Sequence, residues 1–326
     1  MKNNILQPAF MKTIEPSASL LLTVVFIFFS VSSFGESKVK HFPCAINGNS
    51  DSKQRLISVG GANTEILYAL GLGECIAAID TSSTYPQQTK QKPKVGYMRA
   101  LSAEPILAIK PTLIVIDEGA GPPETILQLN RFQIPLLSLA ATRDFAGLHA
   151  AINAIGEQTN RLEQATQLNQ KIIQDVSLLN RYLEKNPSGK DDSSPNQPPR
   201  IAFLMNLEAR EALLAGTHTA ANSMIQLAGG ENAVTHFSGY KTVAAEALAK
   251  LNPDIIITTH RAVESVNTAP SNTHKDIVQS IAALPALKLT QAARDQRIYI
   301  FDTQYLLGFG PRSAEAALAL AKMIQP

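Results

Sequence analysis

Ala103-Glu104, Leu107-Ala108-Ile109-Lys110-Pro111 and Leu113-Ile114-Val115-Ile116 read as a short helix, a proline stop and an apolar strand. The same order returns at Ala245-Glu246, Ala249-Lys250-Leu251-Asn252-Pro253 and Ile255-Ile256-Ile257. In both stretches a glutamate stands seven residues before the proline, and the strand follows it. Each stretch also comes after a helix closed by glycine, at Gly71 and at Gly229. The interval is far longer than a solenoid repeat, so the echo indicates two lobes of one design. A helix dipole stabilises a first-turn acid, which accounts for Glu104 and Glu246 singly. It does not account for their matching places.

Outward from the first stretch, strand and helix alternate. Leu56-Ile57-Ser58-Val59 is a strand ending at Gly60-Gly61, and Asn63 or Thr64 can cap the helix after it. Further strands are expected at 76–79 and 134–139, with a helix opened by Pro122 and Pro123 between them. This alternation argues for a parallel α/β sheet. Residues 144–184 are helical without a strand, broken once near Gly156 and Thr159-Asn160. Leu162, Ala165, Leu168, Ile172, Val176 and Leu179 fall at spacings of three and four. A helix of about two dozen residues is ~35 Å long and can reach from one lobe to the next. The second half carries strands at 201–205, 255–258 and 298–301 and helices at 219–228, 246–251 and 311–324.

The chain start has a different character. Lys2 and Lys12 precede an apolar run from Leu20 to Phe29, followed by Ser30, Ser32, Ser33 and Gly35. That is the layout of a secretory signal peptide, with a retained anchor as the other reading. Cys44 follows His41-Phe42-Pro43, which are not the small residues a lipoprotein cleavage site needs. Cys44 and Cys75 are the two cysteines; an oxidising compartment permits a disulfide, and a buried Cys75 with a free Cys44 is equally consistent. The expected organisation is a signal peptide at 1–35, a tether at 36–54, an N-terminal lobe at 55–143 and an inter-lobe helical segment at 144–185. A polar loop at 186–199 and a C-terminal lobe at 200–326 complete it.

The long loop from Asp80 to Arg99 holds the stretch Val95-Gly96-Tyr97-Met98-Arg99. On an extended backbone Tyr97 and Arg99 face the same way. A guanidinium beside a phenol favours the phenolate, and tyrosine is an axial ligand to haem iron in some proteins. A tyrosine packed under a loop with a surface arginine satisfies the same spacing.

Taken together, the chain resembles the class III periplasmic substrate-binding proteins of ABC importers, over about residues 55–324. The residues that carry this are Ser58-Val59-Gly60-Gly61 with Thr64-Glu65-Ile66, the two glutamate-to-proline units and the helical join. The resemblance implies an α/β fold of two Rossmann-like lobes with parallel sheets joined by a long inter-lobe helix. Within the family the chain is most similar to the haem-binding members, through Val95 to Glu104, Gly239-Tyr240-Lys241 and Thr259 to Ser265. That implies Tyr97 as the ligand to ferric haem and Arg99 as its cationic neighbour, with Arg261 facing the cleft from the other lobe. His260 stands directly before Arg261, so either could face the ligand. Lys241 is a further candidate cation for the propionates, and Met98, Leu306, Leu307 and Phe309 are candidate walls. By the same resemblance Glu104 and Glu246 lie on the lobe tips and meet a permease dimer. The implied protein is a periplasmic monomer that carries haem as cargo.

Other classes fit less well. The net charge of +2 leaves no nucleic-acid footprint. His41, His149, His218, His236, His260 and His274 show no zinc-like pairing, and there is no nucleophile elbow, dinucleotide fingerprint or Walker A sequence. An enzyme is therefore disfavoured. A siderophore or corrinoid binder of the same class is the alternative, though it has no use for a Tyr-x-Arg pair.

Overall fold

The computed structural model describes residues 54–187, 197–207, 211–260, 274–285 and 287–325. The expected signal peptide, all of the tether but Gln54, most of the polar loop, Cys44 and Arg261 lie outside them. The first sheet has the order β2-β1-β5-β6, with β1 at Leu56–Val59, β2 at Ile76–Ile79, β5 at Leu113–Asp117 and β6 at Leu136–Leu139. All three of its pairings are parallel. Its strands are nearly continuous Leu, Ile and Val because helices cover both faces. One face buries Ile66, Leu67, Ile152 and Ile155, and the other buries Val95, Leu101, Ile106 and Leu129. Between β2 and β5 a small hairpin pairs β3 (Gly96–Tyr97) with β4 (Ala100–Leu101).

The second sheet has the path β10-β8-β7-β11-β12. β7 (Arg200–Leu207), β11 (Ile255–Thr259) and β12 (Ile298–Phe301) run parallel, as expected. Two strands not expected from the sequence, β8 (Glu211–Ala215) and β10 (Tyr240–Ala244), add an antiparallel edge. β10 is mostly exposed, so no buried alternation marked it in the sequence. A two-residue strand, β9 (Glu231–Asn232), pairs with the start of β7.

Helix α1 spans Gly61–Ala69, α2 Ala103–Ala108, α3 Pro123–Arg131 and α4 Phe145–Gln158. The helical join breaks once, as the pattern predicted, and α5 then runs 24 residues from Leu162 to Lys185. Ala165 and Ile172 of α5 enter the core of the first sheet, while Leu179 enters that of the second. One stiff helix is thus shared between two cores, which ties each lobe to a fixed rod. Helices α6 (Ala220–Leu227), α7 (Ala245–Leu251) and Ser313–Ile324 cover the second sheet. None of the helices among the described residues is long and apolar enough to cross a membrane.

The cap of α1 differs from expectation. Gly60 is the N-cap at φ +105°, a region that favours glycine, and Asn63 and Thr64 lie inside the helix. Their side chains bond elsewhere: Asn63 donates to the Val59 carbonyl, and Thr64 shares hydroxyl bonds with Ser58 and Ser83. Cys75 is held in a disulfide. The sequence contains one other cysteine, Cys44.

Candidate functional site

In an open parallel sheet the ligand crevice lies beyond the strand C-termini, where the strand order reverses. In the first sheet β1 has β2 on one side and β5 on the other, so the switch lies between β1 and β5. Gly60, Asp80 and Asp117 mark that edge. The Gly60 amide donates to Asp80, whose carboxylate also accepts from Ser82 and Ser83. Burial raises the Asp117 carboxyl above the ordinary range; the Gly119 amide and Arg99 pull it down, and Glu118 and Asp80 push it up.

The Tyr97 hairpin stands at this edge. Tyr97 is 43% exposed, the most open large aromatic of the site. The extended backbone expected to turn Tyr97 and Arg99 the same way is not present. Met98 and Arg99 form the two-residue turn of the hairpin, and Tyr97 pairs across it with Ala100. Gly121 anchors the turn, donating to the Met98 carbonyl and accepting from the Leu101 amide. Arg99 is therefore held at a hairpin tip.

Tyr240 of β10, the neighbour of the expected cation Lys241, feels the charge of Arg99 at this tip. Burial raises the Tyr240 phenol, and the cations Arg99 and Arg143 pull it down, as does a hydrogen bond from Thr219. Arg99 and Arg143 come from the first sheet's lobe and Tyr240 from the second, so the charge of one lobe acts on a phenol of the other. Lys241, next on the strand, takes the opposite side, and its ammonium lies 5.2 Å over the Phe237 ring. His218 sits at φ +58° with Nδ1 near the Thr217 and Ser238 hydroxyls, exposed on its loop.

The expected apolar walls divide. Met98 is half-buried against the first lobe's core. Leu306 and Phe309 are fully buried among Phe203, Met224 and Leu320, so they are core and not wall, and Leu307 packs against the same cluster. His260 is exposed at the end of β11, while Arg261 lies outside the described residues. Among the described residues no group of three or more His, Cys, Asp or Glu could hold a metal ion.

A second inter-lobe contact flanks this one, at the N-terminus of α1. Glu65 of α1 is 5% exposed and accepts three bonds from Arg312: from its backbone amide, Nε and Nη2, at 3.0 to 3.1 Å. The Arg312 guanidinium lies 3.4 Å from the Tyr85 ring centroid and 5.0 Å from that of Tyr305. Gln304 accepts from the Thr84 amide, Thr84 hydroxyl and Tyr85 amide and donates to the Gly61 carbonyl, at 2.7 to 3.0 Å. A Cβ on Gly61 would stand 2.9 Å from the Gln304 side chain, so the close approach needs a residue without one.

A periplasmic binding protein family model matches residues 56–305. The periplasmic haem-binding protein BhuT, solved in complex with two haems, superposes with a TM-score of 0.76 at 32% identity, over 83% of this chain and 98% of that one. An uncharacterised ABC transporter substrate-binding lipoprotein, YvrC of Bacillus subtilis, is 27% identical over 90% of this chain and 89% of its own. A vitamin B12-binding protein of Yersinia pestis is 26% identical over 63% of this chain and 69% of its own. Two lobes, a shared rigid helix and a family match across most of the chain lead to one conclusion: this chain belongs to the periplasmic binding protein family.

Proposed function

We propose that this chain is the haem-binding protein of an ABC importer, taking haem between its lobes in the periplasm and delivering it to the membrane subunits. The observation that carries this is the hairpin that exposes Tyr97 and sets the charge of Arg99 where it acts on Tyr240 of the opposite lobe. The likeness to BhuT over 98% of that chain favours haem over the corrinoid of the more distant relative.

Haem is a flat apolar disc with two carboxylates. Tyr97 supplies an anionic oxygen to ferric iron, and Arg99 supplies a cation beside it. Of the other expected cations, Lys241 faces Phe237 and Arg261 is outside the described residues, so the reading rests on Arg99. The chain acts as a monomer exported by its N-terminal signal, and its role is binding, not catalysis. Glu104 and Glu246, each in the first turn of its helix, are the contacts to a permease dimer.

Hemin titration tests the site. Wild type should turn brown with iron–tyrosinate charge-transfer bands, and Tyr97→Phe should lose those bands and most of the affinity, since only the oxygen is removed. An unchanged spectrum for Tyr97→Phe would sink the assignment. Glu104→Ala and Glu246→Ala should each leave haem binding intact and slow uptake into proteoliposomes holding the importer, with the double variant inactive. Normal uptake by the double variant would leave both glutamates as helix-dipole residues only.

A further inference from the structure

The first leg of the Tyr97 hairpin runs beside the end of β2. The Ile79 amide donates to the Pro93 carbonyl, the Val95 amide to the Ile79 carbonyl and the Thr81 amide to the Gly96 carbonyl, at 2.9 to 3.0 Å. The last of these bonds bears most directly on the ligand. The Gly96 carbonyl and the Tyr97 amide belong to one planar peptide unit, so fixing the carbonyl fixes where Tyr97 leaves the leg. Gly96 itself sits at φ +110°, a region that favours glycine. The Tyr97 side chain is exposed, so its place depends on the backbone more than on packing.

Thr81 is exposed and is held by its neighbours. Asp80, beside it, is fully buried, and its carboxylate accepts four bonds. Oδ1 takes the Gly60 amide at 3.0 Å and the Ser83 hydroxyl at 2.6 Å; Oδ2 takes the Ser82 amide at 2.8 Å and the Ser82 hydroxyl. An ionised carboxylate has about four lone-pair sites, and here donors fill them. Asp80 therefore has nothing left for a cargo, although it stands at the crevice edge of the sheet. Its bonds fold residues 80–83 into a turn, closed by the Ser83 amide on the Asp80 carbonyl, and this turn presents the Thr81 amide. The Ser83 carbonyl also accepts from the Lys94 ammonium at 3.2 Å, a further tie to the leg. Asparagine at this place would set its own N–H groups against donors, so the site calls for a carboxylate.

We propose that Asp80 is a positioning residue for Tyr97: its carboxylate locks the 80–83 turn, and the turn holds the peptide unit from which Tyr97 reaches into the cleft. The effect on haem rests on the reading of the chain as a haem-binding protein. Asp80 touches neither iron nor porphyrin and acts through the phenol. Without its bonds Tyr97 is still present, but its oxygen is no longer held at one place, so iron is bound less firmly and released sooner.

The test crosses Asp80→Asn and the milder Ser82→Ala with Tyr97→Phe. It measures amide hydrogen exchange of the ligand-free proteins, the rate of hemin release to excess apomyoglobin, and the iron–tyrosinate bands. Asp80→Asn should speed exchange across 95–101 relative to α5, raise hemin release about tenfold and shift the bands, and Ser82→Ala should raise release about threefold. In the Tyr97→Phe background neither change should alter release further, because both act through the phenol. Equal losses in the two backgrounds would overturn the proposal, since Asp80 would then support the lobe and not the ligand. So would wild-type exchange at 95–101 in Asp80→Asn, and the bands of the wild type would leave the haem reading standing. If Asp80→Asn does not fold, Ser82→Ala decides: release and hairpin exchange equal to wild type would overturn the proposal. A wild type without iron–tyrosinate bands, whose hairpin still loosens in Asp80→Asn, would keep Asp80 as the mount of Tyr97 and overturn the haem reading.

Discussion

Where α1 meets the region of Arg312, Gln304 makes four hydrogen bonds to the other lobe and Glu65 accepts three more. On the side of the Tyr97 hairpin and β10, the charges of Arg99 and Arg143 act on the Tyr240 phenol, and neither arginine forms a salt bridge among the described residues. The first contact pairs each charge and amide with a partner of fitting geometry. The second keeps cations and phenols available in a half-open space. A latch of the first kind holds the lobes at a set separation, as does a 24-residue helix rooted in both cores. The second can then stay unsatisfied without the lobes drifting apart or collapsing onto each other. Satisfied polar networks rigidify, whereas unpaired polar groups are where ligands bind.

The largest test of this contrast is Glu65→Ala. It leaves the Arg312 guanidinium, whose side chain is 22% exposed, without its carboxylate. Removing one partner of a buried pair costs about 3–5 kcal/mol, so the urea midpoint should fall steeply. A midpoint within error of wild type would show that the latch carries no stability. Gln304→Ala should come next. It strands the amides of Thr84 and Tyr85 and the Gly61 carbonyl, at about 1–3 kcal/mol, unless water takes the vacated place. By contrast, Tyr97→Phe on an exposed hairpin should stay within about 0.5 kcal/mol of wild type while losing its haem spectrum.

Two smaller effects probe the ligand side. Arg99 holds the Tyr240 phenol down against burial, so Arg99→Ala should move that phenol to a higher pKa. Tyrosinate absorbance titrated against a Tyr240→Phe control reads this directly, and superimposed titrations would place Arg99 outside the cleft. The smallest effect concerns Asp117. Burial raises its carboxyl above the ordinary 3.8, so the folded state holds the proton more tightly than the unfolded chain. Its contribution to stability is full below the unfolded pKa and is lost as pH rises through the folded one. Asp117→Asn should therefore gain on wild type as pH rises through that window. Parallel urea midpoints from acidic to neutral pH would show that Asp117 does not titrate as described.

Much of the scaffold was legible in the chain itself. Leu113–Asp117 and Ile255–Thr259 are unbroken apolar runs behind a proline, because strands covered on both faces bury every side chain. The 24-residue helix followed from its spacing of three and four, since one stripe must meet two cores. The echo of Glu104 and Glu246 was also visible, because helix starts depend on local chain chemistry. Tyr97 and Arg99 stand out by their spacing, but the alternation of a straight strand does not apply to them, because the backbone there is a hairpin turn.

Only the tertiary structure decided the rest. β10 escaped notice because a largely exposed edge strand carries no hydrophobic signature, and β8 because Glu-Ala-Leu-Leu-Ala, though mostly buried, has no β-branched or aromatic residue to mark a strand. Leu306 and Phe309 passed for cleft walls because the sequence shows that a residue is apolar, not which surface it meets. Thr64 looked like a cap until Ser58 and Ser83 took its hydroxyl. Glu65 and Arg312 stand 247 positions apart, Gln304 and Thr84 stand 220 apart, and the charge of Arg99 acts on Tyr240 of the other lobe. Local periodicity reports burial and turn geometry within a few residues, and it contains no record of which distant polar groups will share a contact. The amino-acid order by itself determined two lobes on a common rod, and the folded chain decided which polar groups close the gap between them and which leave it open.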